Sequence, residues 1–422
     1  MKARYGARVA VNTRLLYVRL AIVKVVDLFV ARDLLGSLGV GEYGDFTVVT
    51  AWVAACFFFI GALDGAARRF VCADRRNFSP LLGWTATVVG AVGLLGAGAA
   101  VWESGRLAEV KLLVLGMFAL QALRLPYEAL VVASERMGFL LVLSVVESLL
   151  TLGSALAIRL LPMPPLTAYA VLRLSSAALV WALAFFYCRR HHVESRVPPV
   201  FSFSRVRPLF GFFGWQTLGS VAVFLRASGI VLLLSALAGA GACAACETGG
   251  VVMGTLWGLV ANYRMAYQPG IVKAWTDGDR GSFVSCTARA FRHSVIGMTL
   301  VVLPIVIWTP MLCRVWLGTD VPPGADMFVR MFALQCLFEA FATPLDTAIL
   351  ATGRIARYEI DLTLLIGSSF ALAWLFLSVG FPPWTSIGAA ALVNVFACLY
   401  RFVHLKLHHG VAIRAWFCQS AA

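Results

Sequence analysis

Apolar runs of 22 to 28 residues follow one another along the chain, separated by short breaks rich in glycine, proline and arginine. Their apolar residues neither alternate with a period of two nor keep to one stripe, which marks helices surrounded by apolar medium on all sides. A helix crosses a bilayer in about 20 residues. The breaks predict twelve spans: 13–36, 44–66, 81–102, 110–133, 138–160, 166–188, 209–236, 248–270, 290–313, 325–351, 357–380 and 384–405. The expected class is all-α, a polytopic membrane protein.

Composition agrees with that pattern. Of 422 residues, 60% are hydrophobic and 13% charged, and mean hydropathy is +0.85. Soluble domains run nearer 45–50% and about 25%. The net charge of +14 would suit nucleic acid if it lay on one soluble face. Instead, 23 of the 35 basic residues fall on one side of the span map, from Lys2, Arg4, Arg8 and Arg14 through Arg189, Arg190 and Arg196 to Arg401, Lys406 and Arg414. The opposite loops hold only Arg106 and Lys111. By the positive-inside rule, the first side and both termini are cytoplasmic. The partners implied are membrane lipids, not nucleic acid. The apolar segment after Arg14 has full spanning length and no cleavage site, so it reads as a first span rather than a removable leader.

The longest inner connection, CRRHHVESRVPPVFSFSRVRP (188–208), divides the spans six and six. It predicts an amino-terminal lobe over 1–188, a cytoplasmic connection over 189–208 and a carboxyl-terminal lobe over 209–422. A shift of about 200 residues lays LGVGEYG (38–44) on LAGAGAC (237–243), sets Asp64 against Arg264, and brings Asp27 within one position of Arg226. The two lobes then read as parallel repeats. In two-lobed transporters of that kind, substrate sits between the repeats near the midplane.

Charges within the spans are the candidate chemistry. An ionised group at the bilayer centre costs roughly 2.5–3.5 kcal/mol on insertion scales, so such groups face a bundle interior or a wet cavity. On an ideal helix Arg19, Lys24 and Asp27 fall within an arc of about 140° and line one face. With Arg32, Arg226 and Arg264 they form the expected substrate-binding set. In the deep set, Arg19, Lys24, Arg226 and Arg264 outnumber Asp27 and Asp64. Surplus arginine suits an anionic ligand, above all phosphate. Asp64, Glu128, Glu339 and Asp346 are expected to couple transport to Na+ or H+. Pro126 and Pro344 lie among these charges and loosen their helices. Arg159, Arg173 and Arg314 sit near helix ends and are expected to snorkel.

No phosphate loop, HExxH or GxSxG motif is present, so no catalytic residue and no enzyme is expected. Cys243 and Cys246 form the one close cysteine pair; without further ligands they predict no metal site. They read as two apolar cysteines, with a disulfide as the alternative.

Seven segments resemble the bacterial polysaccharide flippase family of the multidrug/oligosaccharidyl-lipid/polysaccharide exporter superfamily. They are NTRLLYVR with LFVARDLLGSLGVGEYG, GALDGAARRF, ASERM (133–137), FFGWQTLG (212–219), NYRMAYQPGIVKAWTDGD (262–279), WLGTDVPPGADMF (316–328) and ATGRIARYEI (351–360). They span nearly the whole chain in the family's order. Arg19 and Arg32 fall on arginines of the family's first-helix pattern, and Arg69 on the one ending the second. The resemblance implies two six-helix lobes around a central cavity, and alternating-access export of a polyprenyl-diphosphate-linked oligosaccharide across the bacterial cytoplasmic (inner) membrane. Polysaccharide polymerase machinery is the implied partner. Two features depart from it: Cys243-Ala244-Ala245-Cys246 replaces the Asn-Ala-Ala-Arg of many relatives, and two further helices are missing. The alternative reading is a cation-coupled multidrug exporter of the same superfamily. A glycan polymerase would need a large outer loop, and every outer loop here is short.

Overall fold

The computed structural model describes residues 2–409 apart from 103, 104, 106, 135, 202 and 353–355. Side chains of 2–17, 19, 73, 203–205, 208–212, 215, 216, 218, 262, 265, 266, 356, 408 and 409 are outside that description. Arg106, Arg354 and Arg414 of the charge map therefore lie beyond the described residues. Among those described, the chain is all helix: α1 (Lys2–Cys56), α2 (Ile60–Ala73), α3 (Phe78–Trp102), α4 (Ala108–Ala133), α5 (Met137–Ala157), α6 (Pro165–His191), α7 (Phe203–Phe224), α8 (Ile230–Leu237), α9 (Ala240–Thr276), α10 (Arg280–Leu317), α11 (Ala325–Ala351), α12 (Ala356–Ser378) and α13 (Thr385–His409). Backbone groups surrounded by lipid must be satisfied within their own segment, and a helix does this. The chain is an all-α polytopic membrane protein. Nine of its described helices are long and apolar enough to cross a membrane, or ten if the bent pair Leu20–Cys56 and Ile60–Cys72 is one span. α4, which carries Glu109, Lys111, Arg124 and Glu128, is not among them.

Two glycines end helices where the sequence placed turns. Gly39 interrupts α1 at φ 74°, ψ 169°, and Gly239 precedes α9 at φ 84°, ψ 176°. That region of backbone space is essentially closed to other residues. The two positions are 200 apart, so the repeat seen in sequence has a matching turn in structure. Two helices run well past the expected spans. α9 continues to Thr276, and α10 begins at Arg280, where spans over 248–270 and 290–313 were expected. Their added turns are not solvated rods. Ile271, Ala274, Phe283 and Ala288 are buried in one core with Leu345, Ile349, Tyr358 and Leu405.

The chain forms two compact units, Met1–Phe224 and Leu225–Ala422. The division falls after α7, not within 189–208, because α7 packs on α2 and α3 of the first unit. In that unit α4 is central, packed against α2, α3 and α6. Phe78, Leu81, Tyr127, Leu130 and Val180 fill its core. In the second unit α11 is central, packed against α9, α10 and α13. α10 and α12 are the least buried of the spans, as lipid-facing helices should be. Cys243 and Cys246 are both buried and neither is in a disulfide, and the Cys243 thiol donates to the Val231 carbonyl at 3.5 Å.

The connection after α6 is strapped to the first unit. Val200 N–H donates to the Ser79 carbonyl at 3.3 Å, and the Ser79 hydroxyl donates to the Pro198 carbonyl at 2.5 Å. Gly83 permits that approach, since a Cβ there would stand 2.6 Å from the Val200 oxygen. The clash is with backbone, which does not yield. Gly83→Ala is therefore expected to cost about 1–3 kcal/mol and to lower the melting temperature in detergent, whereas Gly90→Ala, with nothing within 4 Å, leaves it unchanged.

His192 closes the same region and is only 5% exposed. The Ser134 hydroxyl donates to the Leu130 carbonyl at 2.8 Å, so it accepts from His192 Nδ1 at 3.3 Å, leaving Nε2 as a buried lone pair without a hydrogen-bond partner. Burial, then the nearby Arg136, holds the imidazole below its ordinary pKa; Glu194 opposes, while Arg75 and His191 reinforce. A base depressed in the folded state binds fewer protons there than when unfolded. Its contribution is intact above the unfolded value and is lost as pH falls below about 6.5. Thermal melting should drop from pH 7 to pH 5 more steeply in the wild type than in His192→Gln.

Candidate functional site

Each unit carries its polar line on the central helix. In the first, Arg124 Nε lies 2.7 Å from Glu128 Oε1, one turn away on α4, and Nη1 donates to Glu147 Oε2 of α5 at 2.9 Å. Spacing by four on a helix brings such side chains together. The Glu147 carbonyl accepts from Thr151, whose hydroxyl oxygen accepts from Arg173. Asp64 pairs with Arg68 at 2.7 Å along α2. Both lie within electrostatic reach of Glu128. Lys24 donates to Asp27 at 2.9 Å along α1. Arg32 is exposed, and the side chain of Arg19 lies outside the described residues.

In the second unit α11 is an acidic rail. Glu339 and Asp346 are two helical turns apart and lie on one face. Between Phe224 and Ile230 the chain makes a π-helical turn, Leu225–Gly229. Such turns are frequent at functional sites. Arg226 stands on it and donates to Glu339 Oε1 at 3.3 Å. Glu339 Oε2 and Gln335 Oε1 are buried without hydrogen-bond partners. Asp346 serves three neighbours. It accepts from the Tyr358 hydroxyl at 2.5 Å, and Arg401 and Arg264 lie 3.7 and 3.9 Å from its oxygens. Arg401, 9% exposed, also donates to the Tyr358 oxygen at 2.9 Å.

Arg264 is placed differently from Arg401. Its side chain is 38% exposed, and it lines a small open cleft with Tyr263, Tyr267, Ser294, Thr343 and Thr347. The cleft opens beside Pro344, where α11 cannot complete its backbone ladder. Tyr267 and His293 meet on its rim, hydroxyl to Nδ1, at 2.6 Å. Arg264 thus has one distant carboxylate and faces a small cleft in which the Ser294, Thr343 and Thr347 hydroxyls donate to backbone carbonyls.

The expected surplus of positive charge is not what the pairs display. Lys24 is matched by Asp27, Arg226 by Glu339, and Arg124 by two carboxylates. Asp346 faces two arginines. The count taken from sequence set the cations against Asp27 and Asp64 alone, whereas Glu339 and Asp346 take up Arg226 and Arg264. Arg401 was counted in sequence only as one of the inner-side basic residues. It is buried because α13 packs on α11 and turns it onto Asp346 and Tyr358. Its place at the end of an apolar span gave no signal of that partner. Among the described residues no group of three His, Cys, Asp or Glu side chains is arranged to hold a metal ion.

A buried ion pair broken on one side leaves an uncompensated charge, typically at a cost of about 3–5 kcal/mol. Arg401→Met should therefore lower the melting temperature far more than Arg264→Met. Equal losses would mean that Arg264 holds Asp346 as firmly as Arg401 does.

No protein-family model matches the chain, and no curated protein matches it in sequence. Solved structures do match in fold. A multidrug resistance MATE family transporter of the MOP superfamily, in an inward-facing conformation, aligns with a TM-score of 0.70 at 13% identity, covering 96% of this chain and 100% of that one. A MOP superfamily transporter from Pyrococcus furiosus, whose reversed binding-pocket polarity suggests a different function, aligns at 0.63 with 12% identity, covering 96% and 95%. The eukaryotic MATE transporter AtDTX14 aligns at 0.58 with 15% identity, covering 98% and 96%. The chain has the fold of these transporters.

Proposed function

We propose that the chain is a secondary exporter that works by alternating access, driven by Na+ or H+, in a bacterial cytoplasmic membrane with both termini inside. The observation carrying this reading is the pairing of intramembrane charge. Each of the described deep cations Lys24, Arg124, Arg226 and Arg264 has a carboxylate within 4.0 Å. Carboxylates so placed exchange a proton or a cation against their arginine, and the gain or loss of one charge alters which packing is favoured. Asp64, Glu128, Glu339 and Asp346 are the residues proposed for that step. A charge-balanced interior has no need of an anionic substrate. It favours the cation-coupled multidrug exporter, and the solved structures of like fold include a multidrug resistance MATE family transporter.

The second reading is export of a polyprenyl-diphosphate-linked oligosaccharide. The partly exposed Arg264, its nearest carboxylate 3.9 Å away, favours it, as do the seven flippase-like segments. In this reading Arg19, Lys24, Arg32, Arg226 and Arg264 take the diphosphate or acidic sugars from water, Asp27 balances charge in the empty state, and polymerase machinery receives the product.

Proteoliposomes separate the two. With a proton or sodium gradient imposed, the first reading expects efflux of a cationic dye that Glu339→Gln abolishes, and no movement of a fluorescent polyprenyl-diphosphate oligosaccharide. The second expects the reverse, with oligosaccharide movement lost in Arg264→Ala.

A further inference from the structure

At the basic end of α6 the chain holds apolar side chains outward. Val193, Val197 and Phe201 are 71%, 47% and 72% exposed, and they belong to no membrane-spanning helix. Their segment is nevertheless fixed. The Ser79 and Val200 bonds tie it to the first turn of α3, and the Ser195 hydroxyl donates to the His192 carbonyl at 2.8 Å. Arg196 folds back, its Nε and Nη2 donating to the Arg189 and Arg190 carbonyls at 2.9 and 3.4 Å. These bonds leave the Arg189 and Arg190 side chains exposed at the surface, Arg189 lying over the Phe185 ring. Glu194 is the single carboxylate of 189–201 and is half-buried. A rigid edge with three apolar side chains and a surplus of cations is thus presented at one place.

We propose that residues 189–201 form a docking edge for acidic phospholipid. α3 and α6 are both long and apolar enough to span, and the edge joins their basic ends, where a bilayer crossed by both would place its headgroups. Val193, Val197 and Phe201 seat in the boundary between headgroups and acyl chains. Arg189 and Arg190 meet the phosphates, to which anionic leaflets draw juxtamembrane cations. A free phosphate ion would satisfy the arginines and leave the apolar side chains in water, so a lipid is the occupant that both halves of the edge select. This surface lies within the first unit and is independent of the substrate carried.

The test extracts full-length protein from membranes containing phosphatidylcholine and phosphatidylglycerol, and counts retained lipids by native mass spectrometry. Wild type should retain phosphatidylglycerol in preference. Arg189→Gln with Arg190→Gln should weaken that preference by roughly thirty-fold, while Arg189→Lys with Arg190→Lys should keep it. Val193→Ser with Phe201→Ser should retain less of both lipids. Excess inorganic phosphate should displace neither. Equal retention of the two lipids by wild type, or undiminished preference in the glutamine variant, would overturn the proposal. So would displacement by phosphate, which would point to a free-anion site. Unchanged melting in phosphatidylcholine nanodiscs establishes that each variant is folded.

Discussion

A charge inside a lipid-surrounded helix bundle must be matched by an opposite charge or reached by water, and this constraint organises the molecule. The central helix of each unit is the one that meets it. α4 brings Arg124 onto Glu128 and Glu147, and α11 brings Glu339 and Asp346 onto arginines from the π turn, α9 and α13. A central helix touches most neighbours, so its polar groups find partners on more than one side. The lipid-facing helices α10 and α12 supply apolar surface instead. Both central helices also carry a proline near their carboxylates, Pro126 and Pro344. The places richest in paired charge are therefore also those where the backbone ladder is interrupted.

Much of this was legible in the sequence, for physical reasons. Long apolar runs have few alternatives to spanning helices, and the bodies of the expected spans fall on helix, except that 44–66 is broken at residues 57–59, between α1 and α2, with a bend of 50°. The turns at Gly39 and Gly239 lie in the glycine-rich breaks that the sequence placed between spans. Less legible was where helices stop. Amphipathic turns of α9 and α10 past the apolar core look like loop by hydropathy, yet they bury Ile271 and Phe283 against α11 to α13. The boundary between units was displaced for a similar reason: the long basic connection looks like a linker, while α7 beyond it packs on α2 and α3.

The candidate site was legible as a set of residues and not as a set of pairs. Charge counting marked Arg226, Arg264, Glu339 and Asp346 but assigned the cations to substrate and the carboxylates to coupling as separate groups. Tertiary packing makes them partners. Pairing across 113 residues, as between Arg226 and Glu339, carries no local signature. Nor does the burial of Arg401, because a cation at the end of an apolar span usually reaches for water. The pairing shifts the balance of substrate readings, since a cation already matched by a carboxylate exerts less pull on an anion. Arg264, loosely held and half exposed, is where the balance is most open.

The account turns on whether these arginine–carboxylate pairs hold the second unit together. The most direct measurement is thermal melting of Arg226→Glu, Glu339→Arg and the charge-swapped double variant in one lipid environment. Each single reversal sets like charges together and should lower the melting temperature sharply, while the double variant should recover most of that loss. Single variants as stable as wild type, or a double variant no better than either single, would contradict the account.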